Sequence, residues 1–106
     1  MTPSVVSGGV QILYAVLPLD PDHREEALEA TREIARASRE EPGVIDYRAS
    51  TGVEDPNLLR FVEQYEDADA VKAHLESDHY AEFEETVVEG MLDGEPEVQR
   101  FEASPL

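Results

Sequence analysis

Two strand-like segments that lie close together near the middle of the chain constrain the fold most. Residues 44–50 (VIDYRAS) alternate apolar and polar side chains, and residues 58–66 (LLRFVEQYE) are rich in apolar and aromatic ones. Only the turn-rich stretch 51–57 (TGVEDPN) separates them, which leaves no room for a crossover helix. The two segments are therefore predicted to form an antiparallel hairpin.

The residues before this hairpin predict a strand followed by an amphipathic helix. Residues 10–19 (VQILYAVLPL) are apolar on both faces, as in a strand that is covered on both sides. Asp20 and Pro21 are typical of a helix N-terminus, whereas Pro42 and Gly43 would end the helix. Apolar and small residues recur between them at helical spacing, namely Ala27, Leu28, Thr31, Ile34, Ala35 and Ser38.

The residues after the hairpin predict a bent helical region and a last strand. A helix can begin at Asp67 or Asp69, and the sequence Glu76-Ser77-Asp78 interrupts it, so that Ser77 or Asp78 can start a new turn. Residues 97–103 (EVQRFEA) are predicted to form the last strand. The side chains on the inner side of the helical region would be Ala70, Val71, His74 and Leu75, followed by Tyr80, Phe83, Val87 and Met91.

The resulting order, β-α-β-β-α-β, is that of an α+β, ferredoxin-like sandwich. We expect a single domain over residues 10–103, a flexible N-terminal lead over 1–9 and a short tail over 104–106. Such a domain places its helices on one face of the sheet, so the other face needs a cover. The simplest cover is the same face of a second copy, which predicts a homodimer.

Charge and composition limit the partners. The chain has 8 Lys and Arg residues against 25 Asp and Glu residues, a net charge of −17, which would repel nucleic acid and anionic membranes. The absence of cysteine excludes disulfides and thiolate metal sites. No apolar run is long enough to span a bilayer and the start lacks the features of a secretion signal, so we expect a cytoplasmic protein. The acidic bias fits a salt-loving archaeon, or else an ordinary acidic protein of a GC-rich bacterium.

Three stretches together resemble the antibiotic biosynthesis monooxygenase (ABM) family: EEPGVIDYR, DPNLLRFVEQYED and AVKAHLESDHYAEF. The resemblance covers roughly residues 10–103 and implies a dimeric α+β barrel. It also implies a monooxygenase that uses O₂ without a cofactor on quinols or phenolic, polyketide-like compounds. Alternatives on the same scaffold are an isomerase or other proton-transfer enzyme, and a non-catalytic small-molecule-binding or stress-related protein.

Two departures from the family pattern narrow the expected chemistry. The usual tryptophan of a Glu-x-Trp pair is Tyr65 here. The tryptophan and axial histidine of the haem-degrading branch would fall on His74 and Glu84, so neither is present and haem degradation is excluded. We therefore expect no cofactor.

His74 is the first candidate for a catalytic base. Oxygenation without a cofactor requires a base that deprotonates the substrate, and an ordinary histidine has a pKa of about 6.5. His74 lies on the apolar face of its helix, and Phe61, Glu63 and Tyr65 share one face of their strand. Glu63 would orient His74, and the two aromatic residues would line the substrate cavity. A buried histidine bonded to a structural glutamate is the alternative.

The other candidates have weaker support from the sequence. His79 would point away from His74 on a continuous helix, unless the bend brings it back towards the cavity. The spacing of the two histidines matches no metal motif, so we expect no metal site. His23 is expected on the surface, whereas Arg48 and Arg60 would pair with carboxylates or bind an anionic substrate. The remaining predicted cavity residues are Tyr14, Tyr47, Tyr80 and Phe83.

The charge predicts that salt stabilises the protein. Repulsion among the carboxylates is screened over a Debye length of about 10 Å at about 0.1 M salt, and over shorter distances at higher concentrations. The midpoint of thermal unfolding should therefore rise steeply with KCl concentration, which circular dichroism can follow. A midpoint that does not change with KCl would argue against salt adaptation.

Overall fold

The computed structural model describes residues 9–104, and its elements follow the predicted order. The strands and helices are β1 (Val10–Pro18), α1 (Arg24–Arg39), β2 (Val44–Thr51), β3 (Leu58–Tyr65), α2 (Ala68–Leu75), α3 (Asp78–Phe83) and β4 (Glu97–Ala103). A 3₁₀ turn precedes α1 and a π-helical turn follows α3. Most of the predicted lead and tail lies outside the described residues.

The four strands form one antiparallel sheet in the order β2-β3-β1-β4. This is the strand order of a ferredoxin-like fold, and the predicted hairpin of β2 and β3 is confirmed. Glu63 lies at the centre of the sheet, because it pairs with Leu13 on β1 and with Tyr47 on β2. The side chain of Glu63 on the inner face is therefore flanked by a strand on each side.

The helices pack on one face of the sheet, as predicted. Alternate residues of β1 are buried, and α1 turns its small and aliphatic side chains towards them. The buried residues of α1 are Ala27, Thr31, Ile34, Ala35 and Ser38. A fully buried aliphatic side chain contributes roughly 1.5–3 kcal/mol, so this face stabilises the domain. Within the described range, no helix is long and apolar enough to cross a membrane.

The opposite face of the sheet is left partly exposed. Ile12, Tyr14 and Val16 on β1 are half-buried, while Val62 on β3 is 42% exposed and Phe101 on β4 is 49% exposed. These side chains share one face because they pair across the strands and alternate with the buried set. The chain thus carries an apolar stripe that its own helices do not bury.

The turn between α1 and β2 lies against α2 because Gly43 has no side chain. A Cβ atom at Gly43 would lie only 2.4 Å from the Cβ of Ala70, far inside van der Waals contact. The carbonyl oxygen of Gly43 also accepts a hydrogen bond from the backbone N–H of Glu66, just before α2. The short α1–β2 turn is therefore fixed against the start of α2, and Glu41 in this turn lies near that helix.

Ser77 makes the predicted bend between α2 and α3. Its hydroxyl donates a hydrogen bond to the carbonyl of His74 at 2.7 Å and accepts one from the backbone N–H of Tyr80 at 3.2 Å. One side chain therefore ends α2 and caps α3. Asp67 caps α2 in the same way, through the N–H of Ala70. Leu75, predicted on the inner side, lies at the end of α2 and stays 43% exposed.

Candidate functional site

A cavity of about 170 Å³ lies between the inner face of the sheet and the helices. Its walls are mainly aliphatic and aromatic. The residues around it are Leu13, Ala15, Leu17, Ile34, Tyr47, Phe61, Glu63, Leu75, Tyr80, Phe83, Glu84, Val88, Pro96 and Val98. Four of the predicted cavity residues lie in this wall, namely Tyr47, Phe61, Tyr80 and Phe83. An apolar cavity with few polar groups is typical of a small-molecule site.

Glu63 is the buried carboxyl group of this cavity. Its side chain projects from the middle of β3 and only 6% of the residue is exposed. The Tyr65 hydroxyl donates a hydrogen bond to Glu63 Oε1 at 2.6 Å. Tyr65 is two residues along the same strand, so both side chains point to the same face. Glu84, the second carboxylate in the wall, lies at the edge of the cavity on the π-helical turn and is half-buried.

The surroundings of Glu63 make it a proton acceptor near neutral pH. Burial raises the pKa of Glu63 from its ordinary 4.5 to about 7, and the charge of Glu41 adds to this rise. The hydroxyls of Tyr65 and Tyr47 oppose the rise in pKa because they favour the ionised carboxylate. Burial and the charge of Glu63 raise the pKa of both tyrosines, so they stay protonated and can donate.

His74 is buried as predicted, but its partner is not Glu63. Its Nδ1 is hydrogen-bonded to Glu41 Oε2 at 2.9 Å, and only 1% of the residue is exposed. The prediction that Glu63 orients His74 was wrong. Glu63 accepts a hydrogen bond from the Tyr65 hydroxyl, whereas His74 is hydrogen-bonded to Glu41 in the α1–β2 turn. The ring of His74 lies behind the cavity wall, with its centroid 5.4 Å from that of Tyr47. Burial lowers the pKa of His74 below its ordinary value.

His79 joins the same carboxylate as His74. Its Nε2 lies 2.6 Å from Glu41 Oε2, and the two imidazole centroids are 5.9 Å apart. The bend at Ser77 thus brings His79 back beside His74, but towards Glu41 and not into the cavity wall. Sequence reasoning missed Glu41, which is one of many acidic residues and is distinguished only by the Pro-Gly pair that follows it.

Two further predictions about the cavity need correction. Tyr14 lies on the opposite face of the sheet, where its hydroxyl accepts a hydrogen bond from Arg60 Nε at 3.1 Å. Strand alternation explains this position, because Tyr14 pairs with the outward-facing Val62. Tyr65 faces inward but lies behind Glu63 and does not line the cavity.

The remaining predicted polar residues form surface pairs. Arg48 Nε lies 2.9 Å from Asp46 Oδ1, which fits the predicted pairing with a carboxylate. His23 Nδ1 lies 3.1 Å from Glu26 Oε1 near the start of α1. Exposed pairs of this kind contribute little to stability, about 0–1 kcal/mol, and neither lines the cavity.

Comparison with known proteins gives consistent matches. The family model described as antibiotic biosynthesis monooxygenase matches residues 11–86. The chain is 31% identical over 72 residues to "Putative monooxygenase YcnE" of Bacillus subtilis (strain 168), covering 68% of this chain and 76% of that protein.

Solved structures extend the likeness to almost the whole chain. A conserved protein from Methanosarcina mazei Go1 superposes with a TM-score of 0.85 at 24% identity, covering 96% of this chain and 100% of the other. A Bacteroides thetaiotaomicron protein described under the same family name has a TM-score of 0.77 at 27% identity, covering 94% of this chain and 92% of the other.

The raised pKa of Glu63 predicts how its replacement changes stability with pH. The folded protein binds this proton more tightly than the unfolded chain, so Glu63 contributes less stability as pH rises from 4.5 through about 7. The side chain of Glu63→Gln cannot ionise, so the variant does not lose this stability as pH rises. The difference in the free energy of unfolding, variant minus wild type, should therefore increase by about 2–3 kcal/mol between about pH 5 and about pH 8.

Urea unfolding of both proteins at each pH measures this difference. Exposed Glu40→Gln corrects for the general loss of one carboxylate. A difference between wild type and Glu63→Gln that stays constant with pH would contradict the raised pKa.

Proposed function

Because this chain belongs to the antibiotic biosynthesis monooxygenase family, we propose that it is a cofactor-independent monooxygenase acting on a small quinol or related phenol. One observation carries the proposal: a buried carboxyl group with a pKa of about 7, Glu63, lies in the wall of an apolar, aromatic cavity. A base whose pKa is near the working pH combines a large ionised fraction with useful basicity.

The dimensions of the cavity favour a substrate with a single ring. Its volume of about 170 Å³ is below the roughly 300–1,000 Å³ typical of sites for drug-sized ligands. The rings of Phe61 and Phe83 meet edge to face in the wall, with centroids 5.6 Å apart, and Tyr47 packs on Phe61 in the same way. Such walls would hold a flat aromatic ring with one hydroxyl directed at Glu63.

The reaction needs only a proton acceptor and an electron-rich substrate. Glu63 takes a phenolic proton, and the quinolate passes one electron to O₂. The semiquinone and superoxide combine to form a C–O bond at a ring carbon. Protonation gives a ring hydroperoxide, which loses its C–H proton as the O–O bond breaks and water leaves. The balance is quinol plus O₂ to hydroxyquinone plus water, so the substrate supplies all the electrons.

In this proposal Glu63 is the base in place of His74. Glu63 lines the cavity, whereas His74 lies behind it and is already bonded to Glu41. Tyr65 is a positioning residue, because its hydroxyl holds Glu63 from behind the cavity wall. The same base would also serve a proton-transfer enzyme, so oxygen consumption is the property that distinguishes the two activities.

We further propose that two copies associate through the exposed face of the sheet. The stripe of Ile12, Tyr14, Val16, Val62 and Phe101 is contiguous across three strands and is partly exposed in the single chain. A second copy related by a two-fold axis would cover this apolar surface with an identical one. Association in this way would leave the cavity of each copy on the outer side of the pair.

Oxygen uptake with a panel of single-ring and two-ring quinols tests the activity. Wild-type turnover should rise with pH and level off above about pH 7, because only ionised Glu63 accepts the proton. Glu63→Gln should lower kcat/KM by at least about 100-fold. Glu40→Gln, which removes an exposed carboxylate away from the cavity, is the control and should retain most of the activity.

Each alternative gives a different result. If His74→Ala loses turnover while Glu63→Gln keeps it, the catalytic base is His74 and not Glu63. Substrate conversion without oxygen uptake would indicate proton transfer, and binding without conversion would indicate a binding protein. The absence of both binding and conversion across the panel would reject the cavity as a quinol site.

Light scattering at micromolar concentration tests the homodimer. The wild type should have twice the mass of one chain. Val62→Arg should shift it towards the monomer, because it places a further charge on the apolar stripe. Val53→Arg makes the same change at a fully exposed loop residue and should leave the mass unchanged. A monomeric wild type would reject the proposal.

A further inference from the structure

Glu41, His74 and His79 bring three groups that can bind a metal to one point outside the cavity. Their ligand atoms are Glu41 Oε2, His74 Nδ1 and His79 Nε2, and no two of these atoms are more than 4.8 Å apart. The carboxylate oxygen lies 2.9 Å from one imidazole nitrogen and 2.6 Å from the other. They come from the α1–β2 turn, α2 and α3, so the fold assembles the group from distant parts of the chain.

We propose that these three side chains bind a divalent first-row transition-metal ion. Two imidazole nitrogens and one carboxylate oxygen suit Zn²⁺, Fe²⁺, Co²⁺ or Ni²⁺ better than Mg²⁺ or Ca²⁺, which prefer oxygen ligands. Tetrahedral ligands about 2.1 Å from an ion lie roughly 3.4 Å apart, so the Glu41 carboxylate oxygen, now 2.9 Å and 2.6 Å from the two ring nitrogens, would move away from them to admit an ion. Small rotations of the two rings would complete the site.

The protein holds the three ligands in place before any ion binds. The hydroxyl and backbone N–H of Ser77 both donate to the carbonyl of His74, which fixes the end of α2 on one side of the bend. The backbone of Glu41 is bonded at both ends, since its N–H donates to Ser38 and its carbonyl accepts from Val44. The ring of His74 packs against Tyr47 and Tyr65 and is fully buried. Ligands held in this way lose little freedom on binding.

Access and charge also favour a cation. The side chain of His79 is 27% exposed, so an ion can reach the group from solvent. A groove beside it is lined by four carboxylates, Glu26, Glu29, Glu33 and Glu82, of which Glu29 and Glu33 pair with arginines outside the lining, so Glu26 and Glu82 are its carboxylates without an arginine partner. Grooves of one charge raise the local concentration of counter-ions. Three protein ligands would leave coordination positions open for water or another ligand.

The site is separate from the proposed catalytic cavity. The walls of the cavity contain none of the three ligands, and Tyr65 contacts both sites, since its hydroxyl bonds Glu63 and its ring packs against His74. Metal binding therefore neither requires nor follows from the proposed monooxygenase activity. It revises the expectation that the two histidines form no metal site, since that expectation considered only their spacing and not Glu41.

Isothermal titration of the metal-free full chain with ZnCl₂ tests the proposal. The titration is performed at about pH 7.5 and in about 0.5 M KCl, which screens the surface carboxylates. We expect one Zn²⁺ per chain. Glu41→Gln and His79→Ala should each weaken binding at least about tenfold, because the first removes the carboxylate charge and the second removes an imidazole ligand.

Matched controls separate the site from general acidity. Glu40→Gln removes the neighbouring charge and His23→Ala removes an unrelated histidine, so both should bind Zn²⁺ like the wild type. MgCl₂ should give no one-to-one binding under the same conditions. Co²⁺ loading should give visible absorption that is lost in Glu41→Gln.

Two results would overturn the proposed metal site. It is wrong if the wild type binds no Zn²⁺ in this titration, or if Glu41→Gln and His79→Ala bind as tightly as Glu40→Gln. Circular dichroism of each variant establishes that a loss of binding does not reflect unfolding. His79→Ala is the most informative variant, because its side chain is the most exposed of the three.

Discussion

The contact between Gly43 and Ala70 determines how the two halves of this domain fit together. Only a residue without a side chain allows the α1–β2 turn to approach α2 this closely. The contact places Glu41 against the end of α2, where it meets His74. It also sets α2 over the inner face of β1 and β3, and the ring of His74 at its end packs against Tyr47 and Tyr65. Both candidate sites depend on this arrangement.

The two sites share one aromatic wall but have opposite electrostatic character. On the cavity side, Glu63 is an isolated buried carboxyl group, so its charged form is unfavourable and its pKa rises. On the other side, Glu41 keeps contact with solvent and is bonded to two imidazoles. A buried acid with no cationic partner suits proton transfer, whereas a carboxylate between two histidines suits a cation.

Family membership and chemistry rest on different observations here. The matches establish the antibiotic biosynthesis monooxygenase family and its fold. A fold supports many reactions, so the proposed activity rests on the cavity, on Glu63 and on the hydrogen bond from Tyr65. Tyr65 has a clear local role in this structure, because its hydroxyl provides the hydrogen bond that holds Glu63.

The sequence by itself determined the elements, their order and which side chains of one element share a face. Strand alternation placed Phe61, Glu63 and Tyr65 on one face, and helical spacing placed His74 inward, because these periodicities are local properties of the backbone. The bend at Ser77 followed from local capping chemistry. Only the tertiary structure decided which side chains meet.

His74 was correctly predicted to be buried, but its partner is Glu41, 33 residues away along the chain, and not Glu63. His79 lies beside His74 because of the angle between α2 and α3, and sequence spacing does not predict that angle. Tyr14 lies on the other face because a strand that is apolar on both faces does not reveal which side turns inward. Periodicity fixes the direction of a side chain relative to its own element, whereas contacts depend on how separate elements pack.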